Sequence, residues 1–150
     1  MSAQVSSRRD TGLDPALLRA TVGDVMHRGV FSCPGDASLG QVAEAMASHG
    51  VHAIVVEGAA PRERRIWGLA SDLDVAAAFG LGADAVTAAE VACTEPVTVS
   101  ARSALSDAAR LMSEHGVAHL IVVGADGTPT GVISTLDLAR ALAWGVGGGA

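Results

Sequence analysis

The sequence predicts an α/β (α+β) fold of two β-α-β-β-α repeats, packed with pseudo-two-fold symmetry into one compact module. Three observations predict it. Gly68-Leu69-Ala70-Ser71-Asp72-Leu73-Asp74 returns as Gly131-Val132-Ile133-Ser134-Thr135-Leu136-Asp137. Ser48-His49-Gly50-Val51 returns as Glu114-His115-Gly116-Val117, and the apolar run Ile54-Val55-Val56 as Leu120-Ile121-Val122. The offset is 66 residues from Gly50 to Gly116 and 63 from Gly68 to Gly131, so a three-residue length difference falls in a loop, where it is tolerated. Finally, 150 residues with 49% hydrophobic content and mean hydropathy +0.38 can build a substantial core. A unit of about 60 residues alone would bury only ~60% of its unfolded surface, so the two repeats gain by covering each other.

The elements follow in order. Residues 1–20 read as a flexible arm with one or two helical turns over Leu13 to Ala20. The first repeat occupies 21–83. Val30 to Cys33 is an extended piece stopped by Pro34-Gly35. Leu39, Val42, Ala43 and Met46 recur at helical spacing, with Asp36 or Ser38 as cap and Gly50 as left-handed terminator. Val51 to Val56 and Ile66 to Ala70 are strands, and Asp72 to about Phe79 is a helix. The second repeat, 84–145, has strands at Pro96–Val99, Val117–Val123 and Thr130–Ile133. Leu105, Ala108 and Met112 line a helix ended by Gly116, Ala125-Asp126-Gly127 is a turn, and Thr135 to about Trp144 is the last helix. Residues 146–150 are a glycine-rich tail read as disordered.

Composition narrows the function. A formal charge of −6 opposes binding to a nucleic-acid backbone, which rests on basic residues displacing counterions. No uncharged apolar stretch reaches the roughly 18 residues that span a bilayer, so a soluble, cytoplasmic protein is expected, with no membrane partner. Cys33 and Cys93 are not at equivalent repeat positions, and neither a disulfide nor a metal site is expected of them. Arg62, Arg64 and Arg65 read as a solvated hairpin tip.

Ser71-x-x-Asp74 and Ser134-x-x-Asp137 each satisfy a capping box, which needs no ligand. What adds a second meaning is recurrence with Gly68 and Gly131, each three residues ahead on a strand feeding the helix. Strand, turn and helix N-terminus present free N–H groups and the positive dipole end to an anion. Serine adds a neutral donor to a phosphate, and aspartate one turn on accepts from ribose hydroxyls. The chemistry is that of a ribonucleotide.

With Val22-Gly23-Asp24-Val25-Met26 at its head, the His-Gly-Val runs and the doubled Gly-h-x-Ser-x-x-Asp, the chain resembles a tandem pair of CBS (cystathionine-β-synthase) domains, the Bateman module, from Thr21 to Trp144. The resemblance implies a regulatory protein, not an enzyme, whose two clefts between the repeats take AMP, ADP, ATP or S-adenosylmethionine as a regulatory ligand, with no cofactor required. It implies Ser71 and Ser134 at phosphate or its surrogate, Asp74 and Asp137 at ribose, and Gly68 and Gly131 allowing backbone approach. The base would rest near Phe31 and Ser32 in one cleft and Val97 and Thr98 in the other, against Ala53-Ile54 and His119-Leu120. Two departures matter. Asp72 beside Ser71, where the other repeat has Thr135, would repel a phosphate, so the clefts should differ in affinity. Ala92 stands where the first repeat has Met26, a packing adjustment.

His49, His52, His115 and His119 sit where helices end, positions that favour histidine through the dipole, and no metal site is expected. Ser, His and Asp form no nucleophile-elbow or Walker pattern. The rival reading is a ligand-free dimerisation module. The last helix of each repeat is poor in charge and must be covered on more than one side, by tight internal packing or by a second copy of the chain; a homodimer is the favoured expectation, and any target protein is unidentified.

Overall fold

The computed structural model describes residues 14–58, 66–92 and 95–147. The expected arm over 1–10, Arg62, Arg64, Arg65, Cys93 and the last three residues of the tail lie outside them.

The helix expected near residue 13 is α1 (Pro15–Arg19), where Asp14 Oδ1 accepts from Ala16 N–H at 2.9 Å and proline occupies the first turn. The first repeat then runs α2 (Val22–Val25), β1 (His27–Arg28), β2 (Ser32–Pro34), α3 (Leu39–His49), β3 (Ala53–Glu57), β4 (Ile66–Ser71) and α4 (Asp72–Ala78), which tightens into a 3-10 turn over Phe79–Leu81. The second runs α5 (Ala88–Val91), β5 (Thr98–Ser100), α6 (Leu105–His115), β6 (His119–Val123), β7 (Pro129–Ser134) and α7 (Thr135–Trp144). Of the two candidate caps for α3, Ser38 serves: its Oγ accepts from Gln41 N–H at 3.1 Å, and Gln41 Oε1 accepts from Ser38 N–H at 2.9 Å.

Gly50 and Gly116 end α3 and α6 in the left-handed region, both at φ 62°. Strands β3 and β6 start two residues later than the apolar runs suggest. The reason is local: the N–H of Val51 and of Val117 turn back to Met46 and Met112 carbonyls at 3.1 and 3.0 Å, so these valines close the helix caps.

In each repeat the strand before the long helix pairs parallel with the strand after it, which pairs antiparallel with the next: β2-β3-β4 form one sheet, and β5-β6-β7 lie in the other. The second sheet gains a fourth strand from the first repeat, because β1 pairs antiparallel with β7. The helices leading the repeats, α2 and α5, are exchanged in the same way. Val22 and Gly23 donate to the Ser103 and Ala101 carbonyls, each at 2.8 Å, and Val22 is buried with Leu105, Ala108, Leu120 and Ile133. In mirror fashion Ala88 and Ala89 donate to Ala37 and Gly35 carbonyls, and Ala88 is buried with Ala37, Val42 and Ile54. Thr21-x-x-Asp24 and Thr87-x-x-Glu90 capping boxes start both helices. Met26 packs on the first of these cores and Ala92 on the second. A third cluster, Ala53, Val55 and Leu69 with Ile121, joins the two sheets. The halves are thus interlocked, and a cleft opens where their strand ends and helix starts meet. Among the described residues no helix is long and apolar enough to cross a membrane.

Candidate functional site

Ser71 and Ser134 stand at the junctions β4–α4 and β7–α7, and both boxes close alike. Ser71 N–H and Oγ donate to Asp74 Oδ2 at 2.8 and 3.0 Å, and Ser134 N–H and Oγ donate to Asp137 Oδ2 at 2.8 and 3.0 Å. Each serine Oγ also accepts from the aspartate N–H, at 3.2 Å. Asp74 is half-buried, whereas Asp137 is buried at 4% exposure. The difference has a visible cause: His27 Nε2, on β1, lies 2.9 Å from Asp137 Oδ1 and covers it.

A cleft of about 640 Å³ opens between the repeats. From the first repeat it takes the stretch His27 to Phe31, the turn His49 to Ala53, and Asp72; from the second it takes Ala118, His119, Val132, the α7 start Ser134-Thr135-Leu136, and Arg140. Of the residues singled out in the sequence, Phe31, Ala53, His119 and Ser134 meet in its wall. Asp137 opens instead on an adjoining cavity of about 190 Å³, which shares His27 and Arg140 with the cleft. Gly68, Ser71, Asp74, Ser32, Ile54, Val97, Thr98, Gly131 and Leu120 line neither cavity. Ile54 and Leu120 point into the cores, and Gly131 pairs with Arg28 on β1. A Cβ built at Gly131 would collide with the His27 carbonyl oxygen, so what approaches this glycine is the backbone of β1.

Sequence reasoning missed His27, Arg28, Gly29 and Val30, which form one side of the cleft, and Arg140 on α7. Position alone could have flagged the first four, since they follow the Thr21 capping box directly. Phe31 stacks on His49, ring centroids 4.1 Å apart and planes 19° apart, giving that wall an aromatic surface.

The charge balance is asymmetric. Arg28, Arg140 and four histidines face the cleft, and Asp72 is the carboxylate among its lining residues. Asp72 Oδ2 sits 2.9 Å from His52 Nδ1, and this contact, more than the Leu73 N–H, holds its carboxyl below the usual range. Burial pushes the His119 imidazole down, reinforced by His52 and opposed by Asp72, Asp137 and Asp74. With its folded value depressed, His119 binds a proton more readily in the unfolded chain. Its contribution is therefore intact above about pH 6.5 and is lost as pH falls through the folded value. His119→Gln should flatten the fall in melting temperature between about pH 7.5 and 5.5; parallel curves for variant and parent would refute this. Among the described residues no three His, Cys, Asp or Glu side chains group as a metal site. Cys33 is a free, half-buried thiol pushed up by burial and then by Glu57.

Comparison with known proteins gives a consistent picture. The family model described as CBS domain matches residues 22–80 and again 88–143. No curated protein matches the chain. Among solved structures, the CBS domain protein PAE2072 from Pyrobaculum aerophilum, complexed with AMP, is 27% identical with a TM-score of 0.72, over 82% of this chain and 95% of that one. Hypoxic Response Protein I, with two coordinated zinc ions, is 27% identical with a TM-score of 0.64, over 82% and 99%. The CBS domain pair of protein MJ0100, in complex with 5-methylthioadenosine and S-adenosyl-L-methionine, is 16% identical with a TM-score of 0.73, over 83% and 96%, a likeness of fold.

Proposed function

This chain belongs to the CBS domain family, and from that premise we propose that it is a regulatory protein, not an enzyme, that binds an adenosine ligand between its repeats. The observation that carries this reading is the cleft at the α7 N-terminus, lined by Ser134 and Thr135 and by the Phe31–His49 stack of the other repeat. Ser134 and the helix dipole suit a phosphate, Asp137 suits ribose, and the Phe31 wall suits a purine face. In the same reading Ser71, Asp74 and Gly68 would serve a second ligand with Val97 and Thr98 at its base, although none of the five lines either cavity. The relatives crystallised with AMP or with S-adenosylmethionine support the ligand class. In this reading the ligand is AMP, ADP, ATP or S-adenosylmethionine, and its level is the signal.

Output through a homodimer or a target protein completes the proposal. Leu73, Phe79 and Leu81 in and after α4, and Leu136, Leu142 and Trp144 on α7, are all at least half exposed. Such apolar helix faces favour a partner surface. They also favour the second reading, a dimerisation module without ligand.

Thermal unfolding separates the two. A ligand at one hundred times its dissociation constant adds ~2.7 kcal/mol, which for a chain of this size raises Tm by roughly 5–11 °C. AMP, ADP, ATP or S-adenosylmethionine should give that shift. No shift from any of them, with sedimentation still reporting a dimer, leaves the scaffold reading; sedimentation as a 15.0 kDa monomer discards the dimer.

A further inference from the structure

We infer that His27 is an internal competitor of the ligand's ribose at Asp137, so that the second repeat's carboxylate is masked until the imidazole swings away. The inference rests on the reading that Asp137 holds ribose. Asp137 has two oxygens, and Oδ2 is committed to the Ser134 N–H and hydroxyl. The other, Oδ1, has His27 Nε2 at 2.9 Å. A ribose hydroxyl must reach about 2.5–3.0 Å from the carboxylate oxygen it bonds; Nε2 takes one of the two acceptor positions of Oδ1, and with the imidazole in place Asp137 is only 4% exposed.

The placement of His27 follows from backbone as well as side chain. Strand β1 is held on β7 with His27 opposite Val132 and Arg28 opposite Gly131, and Gly131 admits it by having no side chain. The imidazole stands in the wall shared by the two cavities and is itself 68% exposed. It can therefore rotate into the open cleft without disturbing a core. In the sequence the position 66 residues on from His27 is Cys93, not a second histidine, and among the described residues the Asp74 carboxylate bonds Ser71.

The test measures AMP and 2′,3′-dideoxyadenosine monophosphate by calorimetry on the Asp74→Ala chain, with and without His27→Ala. Removing the imidazole should tighten AMP about tenfold, and the dideoxy nucleotide, which has no hydroxyls to place on Asp137, should be unaffected. His27→Gln, whose amide can still reach Asp137, should fall between. Equal tightening of both nucleotides, no change, or weaker AMP binding overturns the competition and leaves adenosine binding standing. Absence of heat from AMP in the parent and in every variant overturns the adenosine reading itself, and the inference with it.

Discussion

Asp137→Ala should weaken adenosine-ligand binding about ten- to several-hundredfold, because hydrogen bonds to a charged group contribute roughly 1.5–3 kcal/mol each. The lower part of that range is expected if His27 competes for the same carboxylate. The substitution has a second effect that the sequence alone does not separate from the first. Asp137 is buried and is the acidic member of the box that starts α7, so its loss should also cost about 1–2 kcal/mol of stability. The two effects are distinguished by measuring dissociation constant and melting temperature on the same protein. A lowered Tm with an unchanged constant means that Asp137 is only a cap. Because neither core cluster depends on Asp137 for its apolar contacts, the variant should remain folded at room temperature.

Gly131→Ala should destabilise the protein by about 1–3 kcal/mol, lowering Tm by roughly 3–10 °C, as overpacking against backbone does. A Cβ there meets the His27 carbonyl and, at 3.0 Å, the Met26 sulfur. The methionine can move; the carbonyl belongs to a paired strand and cannot without breaking β1 from β7. Since β1 carries the first repeat onto the second repeat's sheet, the cost falls on the joint between them. Gly80→Ala is the control, because a Cβ at Gly80 has nothing within 4 Å. Equal tolerance of both alanines would show that the β1–β7 pairing contributes nothing to stability.

These two positions also show what was legible in the chain. Gly50 and Gly116, the Ser134-x-x-Asp137 box and the apolar runs around Ile54 and Leu120 are local signals, and the structure has the caps, boxes and strands they predict. The exchange of α2 and α5 between repeats is not local. Thr21 and Thr87 announce two short helices, but nothing near Val22 says that it will be buried with Leu120 rather than with Ile54. The meeting of His27 with Asp137 follows from that exchange, as does the occupation of the space at Gly131 by strand backbone. The resemblance implies clefts between the repeats, and the cleft wall draws Phe31 and Ala53 from one half and Ser134 and His119 from the other. Long-range pairing decides these contacts, and spacing along the chain carries no trace of it.

The most direct test of adenosine binding between the repeats is the crystal structure of the full chain grown with millimolar AMP. Phosphate is expected at the Ser134–Thr135 end of α7, purine along Phe31, and ribose on Asp137 with the His27 side chain displaced. A cleft that stays empty while Asp137 keeps His27, in crystals of protein that calorimetry shows to be indifferent to AMP, ADP, ATP and S-adenosylmethionine, would contradict it.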